Sequence, residues 1–246
     1  MSGEANELVE ARQRAGSSGA RARLIALEGI DGSGKGTQAD RLVERLRKSG
    51  LGATLISFPR YEATFFGRLV GSFLNGKFGS LNEVHPMLVS LLFAGDRFES
   101  SAMLQTALAT SDVVVLDRYV ASNVAHQGAK RAGAERDALC RSIEHVEYDL
   151  FSMPRPESVI LLDLSVDWAQ ELVAQKAARK YTDRAADIQE ADAAYLAGVR
   201  ELYLELAARE PNWTVIRCEQ GGSLRSIDAI AEEIWQLVGG PGETLR

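Results

Sequence analysis

The stretch LIALEGIDGSGKGTQ, Leu24 to Gln38, restricts the fold more than any other part of the chain. An apolar run ends in Gly29, Gly32 and Gly34, then Lys35, then a helical pattern, and this context turns a GxxxxGK spacing into a phosphate cradle. Glycines let backbone N–H groups converge on phosphate oxygens, the new helix adds its positive end, and the Lys35 ammonium bridges the outer phosphates. Gly36 replaces the Ser or Thr hydroxyl that usually ligates magnesium, although Thr37 supplies one at the next position. Magnesium would then rely more on phosphates and water, which it accepts because it keeps much of its hydration shell. Asp31 would repel a triphosphate inside such a cradle. It is therefore expected to face a hydroxyl outside it, such as a sugar hydroxyl of a second, acceptor nucleotide.

The rest of the 246-residue chain repeats that alternation of short apolar runs and helical patterns. Candidate strands are 24–29, 53–59, 112–118, 158–165 and 213–219, all continuous apolar runs as expected for strands covered on both faces. Candidate helices are 37–49, 86–109, 135–151, one from Asp167, 188–208 and 226–237. The pattern predicts one three-layer α/β domain over 23–240, with a central five-stranded parallel sheet and ligands at the carboxyl ends of the strands. The lead-in 1–22 is polar and rich in small residues, and is read as a poorly ordered extension.

A hydrophobic content of 46% is ample for a core, and a net charge of −6 argues against bulk nucleic acid or an anionic membrane as partner. No run approaches the ~20 apolar residues of a membrane span. Cys140 and Cys218 lie far apart without a CxxC or a histidine-rich companion, so they read as reduced cysteines of a cytoplasmic protein rather than a disulfide or zinc site.

Three further stretches carry charge to the functional edge. In LLFAGDRFES, Phe93 and Arg97 are four residues apart and share a helix face, which suits a nucleobase, or equally a core phenylalanine beside a surface ion pair. VVVLDRY delivers Asp117 and Arg118 at the end of a buried strand, where Arg118 can clamp an acceptor phosphate and Asp117 can hold magnesium or its water. KAARKYTDRAAD, 176–187, carries Lys176, Arg179, Lys180 and Arg184 between two helices. It reads as a basic lid that excludes water and stabilises a moving phosphoryl group, or as an ordinary solvated helix end.

From about Arg23 to Val238 the chain resembles the thymidylate kinase family, through EGIDGSGKGTQ, FPRYEATFFGRLV, LLFAGDRFE, DRYVASNVAHQGAK, the lid with TDR, and a closing strand and helix. The resemblance implies a P-loop kinase fold with a helical lid, usually a homodimer, that transfers the γ-phosphate of ATP to dTMP with Mg²⁺. It implies ATP binding by Gly29, Gly32, Ser33, Gly34, Lys35, Gly36 and Thr37, and metal binding by Thr37 and Asp117. Phe93 would stack on thymine, Arg97 would bond its carbonyl edge, and Asn123 would help read the base, with His126 and Gln127 in the same pocket. Arg60 and Arg118 would hold the acceptor phosphate, and Asp31 the deoxyribose 3'-hydroxyl. Gly32 stands where some members place an arginine, so catalytic cations are expected from the lid, Arg184 first and Arg179 second.

The sequence departs from the family's pattern in three places. FPRY has its arginine directly after the proline rather than one residue later, His126 stands where an aromatic, often tyrosine, packs on the sugar, and GKGTQ resembles the loop of adenylate kinases. Other readings are a kinase of AMP, UMP or CMP, a GTPase switch, which lacks NKxD and DxxG stretches here, and a non-catalytic nucleotide sensor.

Overall fold

The computed structural model describes residues 22–81, 83–175, 189 and 192–239. The expected lid at 176–187, with Lys176, Arg179, Lys180 and Arg184, lies outside the described residues, as does the lead-in apart from Ala22, which is buried. In chain order, β1 (Arg23–Glu28) passes through the glycine loop into α1 (Lys35–Lys48). There follow β2 (Ala53–Ser57), α2 (Phe65–Leu74), α3 (Pro86–Glu99), α4 (Ser101–Thr110), β3 (Val113–Asp117), α5 (Val120–Gly128) and α6 (Gly133–Glu144). A π-helical turn (His145–Leu150) extends α6, and then come β4 (Ser158–Asp163), α7 (Val166–Ala174), α8 (Ala193–Arg209), β5 (Trp213–Arg217), the hairpin β6 (Glu219–Gln220) and β7 (Ser223–Leu224), and α9 (Ile227–Val238).

The expected five-stranded parallel sheet is present, in the order β2-β3-β1-β4-β5. Alternation along the strands divides the core into two layers. Ile25 and Leu27 of β1 and Val113 and Val115 of β3 pack with α1 and α9 through Leu42, Val43, Leu46, Ile230 and Ile234. Leu24, Ala26, Val114 and Leu116 face the other way and pack with α4, α5 and α6 through Leu104, Val120, Val124 and Ile143. Both faces are covered, which is why these strands read as unbroken apolar runs.

The helices depart from expectation where polar side chains decide the local path. The single helix expected over 86–109 breaks at Ser100, whose hydroxyl donates to Asp96 O at 2.8 Å and competes with the helical backbone bonds. Helix α2 was not foreseen, because FFGRLVGSFL carries two glycines. Thr64 starts it by accepting from the Gly67 amide at 2.8 Å. Helix α5 escaped notice because it is buried almost all round: Val120 and Val124 join the apolar core while Ser122, Asn123, His126 and Gln127 are buried as well, so no apolar face stands against a polar one.

Candidate active site

Two turns leave the sheet side by side. Parallel pairing sets Leu27 of β1 opposite Asp117 of β3, so the glycine loop and the Asp117–Tyr119 turn emerge as neighbours. The loop closes on itself through Ser33 N–H to Ile30 O at 3.2 Å, and α1 begins with Gly34 as a left-handed N-cap (φ 88°) that supplies no side-chain acceptor. The first helical bond runs from Gln38 N–H to Gly34 O at 3.0 Å, leaving the amides of residues 35–37 unpaired by the helix, with no carboxylate in the first turn. An uncapped helix end of this kind offers free amides and a positive dipole end to an anion such as phosphate. Gly32 cannot be replaced in this arrangement: its φ is +85°, and an added Cβ would lie 2.3 Å from Ala169 O of α7.

Lys35 is buried, and its ammonium donates to Ile30 O at 2.7 Å and Ser33 Oγ at 3.4 Å. Burial, then the nearby Arg118 charge, lowers its pKa to about 8, a cost that a bound phosphate would offset. Asp117 packs against the loop at Gly36, where an added Cβ would stand 3.2 Å from Asp117 Oδ2. The residue facing this carboxylate is thus Gly36, while Thr37 is exposed in the first turn of α1. Asp117 Oδ1 is buried and has no hydrogen-bond partner among the described residues.

The acceptor side is a cleft lined by Asp31, Phe93, Arg97, Arg118, Asn123, His126 and Gln127, so seven of the expected residues meet in one place. Phe93 and Arg97 share a face of α3 as their spacing predicts. Arg97, however, is no surface ion-pair partner. It is 2% exposed, donates from Nε to Glu147 Oε2 at 2.8 Å, and pairs through Nη2 with Glu147 Oε1, while Glu147 is fully buried in the π-helical turn. Burial acts to lower the Arg97 pKa, but Glu147 more than offsets it and raises it above the usual value, so the guanidinium stays charged.

The same carboxylate orients Asn123. Its Nδ2 donates to Glu147 Oε1 at 2.8 Å and to Ser90 O at 3.0 Å, and because both partners can only accept, the remaining carboxamide oxygen is the atom left over. That Oδ1 is buried without a partner among the described residues. The Gln127 amide is set by similar logic: Lys130 Nζ donates to its Oε1 at 2.8 Å, and Nε2 has no partner among the described residues.

Two expectations need correction. Asp31 does not stand alone toward a sugar hydroxyl, because the neighbouring strand ends bring it within 2.7 Å of Arg118 Nη2. Arg60 does not line the cleft. Its backbone N–H is held by Asp96 Oδ2 at 2.9 Å and its carbonyl lies under Gly67, where a Cβ would clash at 2.2 Å, and the guanidinium donates to buried Ser100 Oγ at 3.4 Å. Tyr61 takes the place at the cleft.

Sequence reasoning missed the acids that hold this site. Glu28, at the end of β1, is fully buried and accepts from Tyr119 N–H at 2.8 Å, Ser122 Oγ at 2.6 Å and Tyr203 Oη at 2.9 Å. Arg118 reaches the same network through Nη1 to Ser122 Oγ at 3.2 Å, and its backbone sits in the left-handed region (φ 66°). A non-glycine residue there is strained and persists because the surroundings hold it. Glu28 stood within the quoted loop motif, but Glu147 and Asp96 carried no local signal, being single acids in helical stretches.

Sequence comparison places this arrangement in a family. The family model described as thymidylate kinase matches residues 27–228, from the end of β1 to the start of α9. The chain is a member of the thymidylate kinase family. Thymidylate kinase from Mycobacterium tuberculosis is 34% identical over 187 residues, covering 76% of this chain and 86% of the relative. A probable thymidylate kinase from Methanothermobacter thermautotrophicus is 36% identical over 201 residues, 81% of this chain and 88% of the relative. The solved structure of the Candida albicans thymidylate kinase superposes with a TM-score of 0.68 at 26% identity, covering 90% of this chain and 92% of that one.

The buried ion pair allows a direct test of what it contributes. Glu147→Ala leaves the Arg97 charge buried and unpaired, and is expected to lower unfolding stability by about 3–5 kcal/mol in urea titration. The double substitution Arg97→Met with Glu147→Leu is expected to regain most of that loss. Equal losses in the single and double variants would assign the effect to packing instead.

Proposed function

We propose that this protein transfers the γ-phosphoryl group of ATP to dTMP, giving ADP and dTDP in dTTP synthesis. The observation that carries this reading is the oriented polar pair on the cleft wall. Asn123 Oδ1 is a buried acceptor without a partner among the described residues, and Arg97, which shares Glu147 with Asn123, has in Nη1 a donor that makes no hydrogen bond to another described residue. Thymine presents the complement, an N3–H donor next to a carbonyl acceptor. Adenine and cytosine present the reverse, a ring-nitrogen acceptor next to an amine, which would set an acceptor against the buried Asn123 Oδ1 and leave it unpaired. Phe93 supplies the stacking face on the same wall.

In this reading the loop amides and Lys35 hold the ATP phosphates, and Arg118 receives the acceptor phosphate while Asp31 keeps the guanidinium in place. Asp117 is the candidate metal ligand, and it fits Mg²⁺: a carboxylate with an orphaned oxygen abuts the glycine loop. Among the described residues no cluster of three acidic, cysteine or histidine side chains exists, so most ligands would be phosphate and water, with Thr37 the other protein candidate. When bound, the ion neutralises charge on the transferring phosphates. Positive charge on the moving phosphoryl group is assigned to the lid, because the close approach of Ala169 O at Gly32 leaves no room there for an arginine.

We also propose a homodimer. Leu88, Leu91 and Phe98 form an exposed apolar stripe along α3, and Phe98 stacks on Phe151 with ring centroids 4.7 Å apart, next to exposed Leu150. A contiguous apolar face of this kind marks a protein interface.

A coupled assay across dTMP, dUMP, UMP, AMP and CMP, with and without magnesium, is expected to give magnesium-dependent turnover greatest for dTMP. Turnover of AMP with none of dTMP would reject the reading. Arg184→Ala is expected to reduce kcat by at least ~100-fold with little change in KM for dTMP, and unchanged turnover would remove Arg184 from the reaction. Phe98→Glu is expected to shift sedimentation from dimer to monomer, whereas a wild-type chain that already sediments as a monomer would exclude the dimer.

A further inference from the structure

The tautomer of His126 follows from its surroundings and has a consequence for the acceptor nucleotide. Helix α5 ends at Gly128, and its last carbonyls need donors. Ala129 N–H serves Ala125 O, Lys130 N–H serves Gln127 O and Arg131 N–H serves Gly128 O, so His126 O is passed over by the backbone. The Tyr195 hydroxyl of α8 fills the gap, donating to His126 O at 2.8 Å. A carbonyl can only accept, so this bond takes the single proton of that hydroxyl. The second contact, His126 Nδ1 to the Tyr195 oxygen at 3.0 Å, must then run the other way, with Nδ1–H as donor.

The ring is 5% exposed, and burial, with the nearby Arg118 charge, lowers its pKa to about 3. It is therefore neutral near pH 7, and a neutral imidazole protonated at Nδ1 carries a bare lone pair at Nε2. That nitrogen is buried and has no partner among the described residues, in a residue that lines the acceptor cleft. Its place is between the two ends of the cleft. Asn123, one turn earlier on α5, belongs to the base end, whereas the charges that act on His126 include Arg118, Asp31 and Lys35 at the phosphate end. A buried acceptor requires a donor. Phosphate oxygens near neutral pH repel it, and the base edge is taken by Asn123 and Arg97, so the donors of a nucleoside monophosphate that remain are its sugar hydroxyls.

We infer that His126 Nε2 is a specificity-determining acceptor for a sugar hydroxyl of the acceptor nucleotide. A carbon-edged ring at this position could only exclude or pack against that hydroxyl, whereas this chain rewards it. The 2'- and 3'-hydroxyls share this chemistry, and they are separated by using dTMP, dTMP lacking its 3'-hydroxyl, and dTMP carrying an added 2'-hydroxyl.

Calorimetric titration of the full chain with these three nucleotides, wild type against His126→Phe, tests the inference. If the 3'-hydroxyl is recognised, the substitution weakens binding of dTMP and its 2'-hydroxylated form by about tenfold and leaves the 3'-deoxy form within about twofold. If the 2'-hydroxyl is recognised, only the 2'-hydroxylated form weakens. An equal change in all three, or none, overturns the inference. Tyr195→Phe guards against a folding defect at position 126: it keeps the imidazole but frees its tautomer, and is expected to give the same pattern at reduced size. Nitrogen NMR of the wild type at pH 7 is expected to show His126 protonated at Nδ1 and bare at Nε2, and a protonated Nε2 overturns the inference without any nucleotide. The inference rests on the dTMP kinase reading. If none of the three nucleotides binds, both fall. If dTMP is turned over but all three respond alike, only the inference falls.

Discussion

Parallel pairing of β1 with β3 is the constraint on which the rest of the site depends. With Leu27 opposite Asp117, Arg118 N–H bonds to Leu27 O at 3.0 Å and Glu28 captures the Tyr119 amide at 2.8 Å. The donor loop and the acceptor turn are thereby locked to each other at the sheet edge. Two phosphate-bearing ligands bound to these turns must meet end to end, which is the geometry that phosphoryl transfer requires.

Around that seam the chain solves one electrostatic problem twice. An acidic protein, net −6, must gather cations to receive polyanions, and each such cation is expensive to bury. Arg97 is held by Glu147 and Arg118 by Asp31, and the two pairs differ in depth. The Arg97 pair is almost fully buried and forms a fixed part of the cleft wall, with Asn123 sharing its carboxylate. The Arg118 pair is partly exposed, at 14% and 18%, so its guanidinium can exchange contacts with an incoming phosphate. Lys35 has no acid bonded to it among the described residues and rests on its own loop. Burial lowers its pKa, a cost that a bound phosphate would offset.

Most of the fold was legible because its signals are local. Five apolar runs gave five strands, and a glycine loop between a strand and a helix gave the phosphate cradle. What stayed hidden was polar and nonlocal. Helix α5 buries polar and apolar residues alike, so the periodicity used to find helices points nowhere. The role of Glu147 depends on a contact across 50 residues of sequence, and that of Glu28 on partners 91, 94 and 175 residues away. The placement of Arg60 away from the cleft lining is likewise set by Asp96 and Gly67, neither of which marks the FPRY stretch itself.

The sequence by itself determined the chemistry on offer: a phosphate loop, a charged turn at a strand end, an aromatic beside a guanidinium, and with them the thymidylate kinase family. Those features are contiguous motifs, and their spacing is fixed by backbone geometry. Only the tertiary structure decided how each side chain is used, that Asp31 faces Arg118, that Gly36 rather than Thr37 meets Asp117, and which atoms of Asn123 and His126 are left for a ligand. Hydrogen-bond orientation is settled by the partner's ability to donate or accept. Those partners sit on other strands and helices, brought into reach only when the sheet and its two helical layers close.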